Sequence, residues 1–238
     1  MSTVPERGDG RDDDVMVTLG DLTWTDLEGR RPVLVVPLGS LEQHGPHLPL
    51  DTDTRLATAI ATAAVARDRR CVLGPTLPIG ASGEHAAFPG TLSIGTAALT
   101  TLLVELVRSA DGFAGIVLVN GHGGNGDALR ELQRVAGAES RTVHVWSPSI
   151  ADGDAHAGRT ETSLLLAIDP SCVRVDAMTA GESAPVMTLL DRLRAEGVRA
   201  VSPSGVLGDP TGADADEGAR LLEGLVDDLV GRLQDWFR

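Results

Sequence analysis

The segment Gly115-Ile-Val-Leu-Val-Asn-Gly-His-Gly-Gly-Asn125 decides the fold class of this 238-residue chain. Its first five residues form a short, continuous apolar run, which is typical of a β-strand buried on both faces. The glycines after the strand indicate a tight turn, and a helical pattern follows at residues 126–136. A strand that leads through a turn into a helix is the building unit of a parallel α/β sheet.

The same alternation continues along the rest of the chain. Further strands are predicted at residues 33–37, 71–73 and 142–146. Further helices are predicted at residues 54–67, 96–109, 160–167, 184–196 and 215–237. Strands separated by helices need crossover connections, so we expect a layered, mostly parallel sheet with helices on both faces. We expect one domain over residues 15–238, after a polar, acidic and disordered leader at residues 1–14.

The composition excludes several kinds of chemistry. All 20 basic residues are arginine, the net charge is −14, and the chain contains no lysine and no tyrosine. Schiff-base catalysis, a P-loop and a tyrosine general acid are therefore excluded. The acidic charge argues against nucleic acid or an anionic membrane as a partner. Because no apolar run is long enough to span a membrane, a cytoplasmic protein is expected.

The loop after the first strand predicts a metal site. Glu42, His44, His47, Asp51 and Asp53 fall within twelve residues, beyond the carboxyl end of a predicted parallel strand. Carboxylates and imidazoles are the ligands that divalent ions use when thiolates are absent. Two members allow a simpler interpretation, since Asp53 could cap the next helix and His47 could be a solvent-facing loop histidine.

Three further loops at the same edge of the sheet carry candidate residues. His122 lies in the glycine turn and is predicted to bind metal, although the turn could simply connect strand and helix, with Asn125 as a cap. Glu161 is predicted as a ligand and His156 as a proton shuttle, whereas a plainer interpretation has Glu161 stabilising the helix dipole.

The fourth loop carries Glu84 and His85, which precede the segment Phe88-Pro-Gly-Thr91. This glycine- and proline-containing stretch fits a lid that faces a substrate, and it fits an ordinary surface loop equally well.

These four motifs, taken in this order, resemble the creatininase family of metal-dependent amidohydrolases. The matching segments are residues 37–53 (PLGSLEQHGPHLPLDTD), 83–85 (GEH) with 88–91 (FPGT), 120–125 (NGHGGN) and 156–163 (HAGRTETS). The resemblance extends from about Val33 to the C-terminus. It implies a layered α/β fold of the creatininase type, a homo-oligomer, and two divalent metal ions per subunit near the strand ends. Iron, zinc and manganese all suit such ligands.

The resemblance also implies a ligand set. Carried over by position, Glu42 and His122 would bind the first metal, His44 would bind the second, and Asp53 would bridge both. Creatinine hydrolases carry a glutamate two residues after the motif histidine, where this chain has Gly124. Glu161 is therefore expected to supply the second carboxylate.

The implied reaction is hydrolysis of an amide by metal-activated water. His156 would protonate the departing amine, and Asn125 would orient the substrate or stabilise the oxyanion. Glu84 and His85 would contact the substrate.

Two departures argue against creatinine as the substrate. One is Gly124, and the other is the absence from residues 151–155 of the tryptophan that creatinine hydrolases carry before the active-site histidine. Further matches at residues 51–55, 80–85 and 205–211 resemble a peptidase branch of the family, which releases a modified Val-Tyr-derived unit from the C-terminus of a precursor peptide. The alternatives are an amidohydrolase of the same fold that acts on a formamide or a cyclic amide, and a non-enzymatic, metal-stabilised scaffold.

Overall fold

The computed structural model describes residues 17–238, so the leader predicted at residues 1–14 lies outside the described residues. The sheet consists of β1 (Val33–Leu38), β2 (Cys71–Leu73), β3 (Gly115–Asn120) and β4 (Val143–Trp146). The strand order is β2-β1-β3-β4, and every neighbouring pair is parallel. Both six-residue central strands, β1 and β3, are buried along their whole length, as their continuous apolar sequences require. The predicted parallel α/β fold is confirmed.

The helices, in chain order, are α1 (Trp24–Leu27), α2 (Thr52–Ala66), α3 (Gly95–Arg108), α4 (Gly126–Ala138), α5 (Arg159–Ile168), α6 (Val186–Glu196), α7 (Val198–Val201) and α8 (Ala215–Trp236). The helical spacing of apolar residues predicted six of these within two residues at each end. It missed α1 and α7, because a helix of four residues is too short to show a repeat of 3.6. Within residues 17–238, no helix is long and apolar enough to cross a membrane.

Helices cover both faces of the sheet. Because successive side chains of a strand point to opposite faces, Val33 and Val35 enter one apolar cluster, and Leu34 and Val36 enter another. The first cluster continues into α2, α5 and α8, and the second into α3 and α4. The layered arrangement predicted from the sequence is therefore confirmed.

The register of the central strands places the candidate loops side by side. Leu38, the last residue of β1, lies opposite Asn120, the last residue of β3. Val119 of β3 in turn lies opposite Trp146, where β4 ends. The three loops that follow these strands therefore leave the sheet at one edge, where ligands bind in open α/β sheets.

Leu229 provides a test of how α8 packs against the sheet. Its side chain is fully buried in the first cluster, whereas Arg232 on the same helix is exposed. We expect Leu229→Ala to lower the free energy of unfolding by about 2–5 kcal/mol, because the deletion leaves a cavity. Arg232→Ala should change it by less than about 0.5 kcal/mol. Urea denaturation measures both values, and equal stability of the two variants would refute the packing of α8.

Candidate metal centre

Glu42 is a buried carboxylate that makes no hydrogen bond within the part of the chain that the structure describes. Its side chain is 0% exposed, and neither carboxylate oxygen has a hydrogen-bond partner among the described residues. Burial raises the pKa of Glu42 to about 7, against the lowering influence of His122. A buried carboxylate without partners is costly unless a cation compensates it. The chemistry of this site therefore fits a divalent metal ion.

Asp53 reaches the same place from the first turn of α2. Its Oδ1 atom lies 3.0 Å from Nε2 of His44, and its Oδ2 atom accepts a hydrogen bond from the Ser40 hydroxyl at 2.7 Å. Burial by itself would raise the pKa of Asp53, but His44 and His122 lower it well below the usual range. Asp51, not Asp53, occupies the N-cap position of α2. The capping interpretation of Asp53 is therefore wrong.

His122 lies between the two buried carboxylates. Its Nε2 atom is 3.1 Å from Oε2 of Glu42, and its Nδ1 atom is 3.2 Å from Oδ2 of Asp53. Burial would lower the pKa of His122, but Asp53 and Glu42 raise it to about 9. The Asn120 side chain, which donates a hydrogen bond to the His122 carbonyl at 2.9 Å, fixes the turn that carries this imidazole.

Glu161 and His156 approach the cluster from α5 and the segment before it. Oε2 of Glu161 lies 3.9 Å from Nε2 of His44 and accepts a 2.6 Å hydrogen bond from the backbone N–H of Ala157. Ala157 has a φ of 52°, a left-handed conformation that non-glycine residues rarely adopt. The His156 ring lies against His44 with the two ring planes tilted by 40° and the centroids 4.3 Å apart. Burial lowers the pKa of His156 well below its usual range, so this ring is neutral.

His85 lies at the centre of the site rather than at its surface. The side chain is buried, and its Nε2 atom is 3.3 Å from Oε1 of Glu42. Burial lowers the pKa of His85 to about 3. The segment that follows packs on the first loop, where the Thr91 hydroxyl accepts a hydrogen bond from the backbone N–H of Gln43 at 3.2 Å. The sequence offered no way to decide between a lid and a surface loop, because the two share their composition.

Glu84 occupies space that Gly124 leaves open. Oε1 of Glu84 lies 3.6 Å from Nε2 of His122, and the Glu84 side chain is partly exposed. A Cβ atom at position 124 would overlap both this oxygen and the His122 nitrogen. Glycine at position 124 therefore allows Glu84 to approach the site.

Asn125 connects loops. Its Nδ2 atom donates to the Gly39 carbonyl at 3.1 Å and to Oδ1 of Asn120 at 3.0 Å, and its Oδ1 atom accepts from the N–H of Ala81 at 2.9 Å. The side chain is fully buried. Both amide hydrogens are engaged by protein groups, so this geometry does not support the direct substrate contact that the sequence suggested. Asn125 positions the glycine turn instead.

His47 and Asp51 lie outside the cluster. His47 is fully buried, with Nε2 2.9 Å from the Thr162 hydroxyl, so the interpretation as a solvent-facing loop histidine is wrong. Burial lowers the pKa of His47 to about 4. Asp51 forms a half-exposed ion pair with Arg55 at 2.8 Å. His47 therefore packs the loop against α5, and Asp51 stabilises the start of α2.

Three groups of side chains among residues 17–238 bring three ligand atoms within 4.8 Å of one another. They are Glu42 with His44 and Asp53, His44 with His156 and Glu161, and Glu42 with His85 and His156. The first two are built largely from residues that the sequence singled out as ligands. The third includes His85, whose position in the sequence suggested only a contact with substrate.

A cavity of about 370 Å³ lies beside the cluster. Glu161 and Asn120 contribute polar groups to its lining, and Trp146, Ile150 and Leu56 contribute apolar ones. It adjoins the carboxyl ends of β3 and β4, so it offers volume for a substrate next to the candidate ligands.

The chain is similar to proteins of the creatininase family over most of its length. The Creatininase family model, described as creatinine amidohydrolase, matches residues 20–233. The mycofactocin precursor peptide peptidase of Mycobacterium ulcerans is 51% identical over 231 residues, which cover 93% of this chain and 92% of that protein. The protein of the same name from Mycolicibacterium smegmatis is 50% identical over 225 residues, covering 92% and 91%. The creatinine amidohydrolase of Pseudomonas putida is 31% identical over 257 residues, covering 93% and 97%.

Solved structures agree with the sequence comparison. A mutant creatininase of the Zn-Zn type superposes with a TM-score of 0.79 at 28% identity, covering 94% of this chain and 99% of that one. A manganese creatininase superposes with a TM-score of 0.76 at 27% identity, with the same coverage. The chain therefore belongs to the creatininase family.

Proposed function

We propose that this protein is a metal-dependent peptidase that hydrolyses the mycofactocin precursor peptide and releases its modified, Val-Tyr-derived C-terminal unit. Relatives that carry the name of this peptidase are about half identical to the chain over more than nine tenths of its length. The observation that carries the proposal is Glu42, a fully buried carboxylate that accepts no hydrogen bond from residues 17–238 and is surrounded by imidazoles. A divalent ion would compensate the charge of such a group.

We propose that two divalent ions, which could be iron, zinc or manganese, bind here. The ligands would be Glu42 and His122 for one ion, His44 and Glu161 for the other, and Asp53 for both. Zinc and manganese are supported by the names of solved relatives. When bound, such ions supply an acidified water molecule and polarise the amide carbonyl.

The chain's own residues would handle the protons and the substrate. His156 is neutral and faces Glu42, with its Nδ1 atom 3.8 Å from Oε1 of that carboxylate. It is therefore placed to accept a proton and to transfer it to the departing amine. Glu161 is held by the Ala157 N–H, so its carboxylate keeps a fixed direction beside the cavity. The apolar lining of that cavity suits the apolar part of the released unit.

We also propose that residues 15–238 form a single domain and that it works as a homo-oligomer in the cytoplasm. The extent of the match to full-length relatives supports the single domain. Sedimentation equilibrium measures the number of subunits.

The test combines elemental analysis of the purified protein with mass spectrometry of two reactions. We expect bound divalent metal, cleavage of the modified precursor peptide, and no turnover of a formamide substrate. A chelator should stop the cleavage, and added metal should restore it. Turnover of the formamide alone would instead support a related amidohydrolase. If the protein were only a scaffold, the Glu161→Gln and His156→Ala variants would support formation of the pathway's product as fully as the wild type does.

A further inference from the structure

The Gln43 side chain joins three loops and has a fixed amide orientation. Its Oε1 atom accepts a hydrogen bond from the backbone N–H of Gly45 at 2.8 Å, and its Nε2 atom donates to the Gly205 carbonyl at 3.1 Å. A backbone N–H only donates and a carbonyl only accepts, so the two ends of the amide cannot be exchanged. Gln43 is itself buried, and it lies between Glu42 and His44 in the sequence.

The backbone of Gln43 determines which nitrogen of His156 carries the proton. Nε2 of His156 lies 2.8 Å from the Gln43 carbonyl oxygen, which can only accept. The His156 ring therefore carries its hydrogen on Nε2, and its approach to Nε2 of Gln43 at 3.0 Å is a contact between two donors. Nδ1, the other nitrogen of the His156 ring, faces Oε1 of Glu42, 3.8 Å away.

The side chain of Gln43 determines which nitrogen of His85 carries the proton. Nδ1 of His85 lies 2.9 Å from Nε2 of Gln43, which can only donate. Nδ1 of His85 is therefore the acceptor, and the hydrogen of this ring is on Nε2. That N–H faces the same oxygen, Oε1 of Glu42, at 3.3 Å. The two hydrogens of the Gln43 amide are then both used, one by Gly205 and one by His85.

We propose that Gln43 is a positioning residue that fixes hydrogen on Nε2 of two neighbouring histidines, by accepting from His156 through its backbone carbonyl and donating to His85 through its side-chain amide. A histidine held in place by a donated N–H keeps its other nitrogen free to accept, and His156 Nε2 donates to the Gln43 carbonyl in this way, which leaves Nδ1 free for the proton transfer proposed above. In His85 the nitrogen that faces Glu42 is Nε2, which carries the hydrogen, so His85 is a hydrogen-bond donor and not a ligand, although its distance to Glu42 alone would allow either. This inference rests on the proposed function: in such a peptidase the Nε2–H of His85 would bind the substrate's carbonyl oxygen or the oxyanion derived from it.

The decisive measurement is the protonation site of each ring in the full-length, zinc-loaded protein. Long-range proton–nitrogen correlation spectra of protein labelled at histidine show which ring nitrogen carries hydrogen, and His85→Asn and His156→Asn assign the signals. We expect hydrogen on Nε2 in both rings. Hydrogen on Nδ1 of His85, or zinc on its Nε2 atom, would overturn the proposal. If the purified protein bound no zinc but still carried hydrogen on Nε2 of both rings, only the proposed function would be contradicted.

A single substitution should invert one ring and spare the other. In Gln43→Glu the carboxylate can only accept, so we expect the hydrogen of His85 to move to Nδ1, while His156 keeps its backbone partner. At equal zinc content, we expect kcat/KM for the peptide to fall about 10–100-fold, the range for residues that orient active-site groups. Gln133→Glu on the exposed face of α4 makes the same change of charge and should alter neither property. An unchanged His85 pattern in Gln43→Glu would refute the role of the side chain.

Discussion

Glu42→Gln should abolish metal binding while leaving the fold intact. The substitution preserves the size of a side chain that is 0% exposed, but it removes a carboxylate whose buried oxygens accept no hydrogen bond from the described residues. Loss of a residue that merely orients a ligand costs about 10–100-fold in metal affinity or activity, so loss of a ligand should cost at least about 100-fold. Metal content and peptide turnover, measured on the same preparation, check this.

The metal-free forms provide a second readout for the same variant. Burial raises the pKa of Glu42 from 4.5 to about 7, so at pH 8 its ionised form opposes folding. Metal-free Glu42→Gln should therefore melt at or above the temperature of metal-free wild type at pH 8, and this advantage should disappear as the pH falls below 4.5. Glu131→Gln, which affects an exposed pair with Arg134, is the matched control and should keep metal and activity. Full metal occupancy in Glu42→Gln would exclude Glu42 as a ligand.

Gly121→Ala should disrupt the candidate metal centre, whereas Gly123→Ala should leave metal binding and turnover unchanged. A Cβ atom at Gly121 would lie 2.5 Å from the Asp53 carbonyl oxygen and 3.3 Å from Cβ of Ala57, so backbone must move. This movement would separate the turn that carries His122 from the first turn of α2. We expect a loss of about 1–3 kcal/mol in folding stability from the overpacking. Metal content and turnover should fall with it.

Gly123 lies two residues away in the same turn and provides the control. A Cβ atom there would meet nothing within 4 Å, so alanine should be accommodated without a shift. Thermal melting and metal analysis of the two variants separate a local steric effect from a general intolerance of the turn. If both variants behaved like wild type, the close approach of Gly121 to α2 would not be what holds His122 beside Asp53.

The sequence predicted what depends on local pattern. Continuous apolar runs identified β1 and β3, and helical spacing located α2, α5 and α8, because burial of one face selects these patterns. The positions of Glu42, His44 and Asp53 were predictable for a related reason. Loops after parallel strands meet at one edge, so ligand-type residues in them come together whatever the details of the packing.

Features that depend on partners distant in the chain could not be predicted. His47 is buried against α5, where its ring lies within hydrogen-bond distance of the hydroxyl of Thr162, 115 positions later in the chain. His85 reaches Glu42 only because a short turn directs it inward. Gln43 is an uncharged amide with no titratable group, so nothing in its chemistry marked it before its contacts with His85 and Gly205 were known.

The central pairing of β1 with β3 has a consequence for how the protein acquires its active form. The proposed ligands extend from Glu42 to Glu161, and the register of Leu38 with Asn120 brings them together only after a long stretch of chain has closed into a loop. An unfolded chain does not bring these ligands together, so the proposed metal would bind the folded form much more tightly than the unfolded one. Free metal therefore enters the folding equilibrium, and each tenfold rise above the dissociation constant adds about 1.4 kcal/mol of stability. Metal supply would then govern the amount of folded protein as well as its activity.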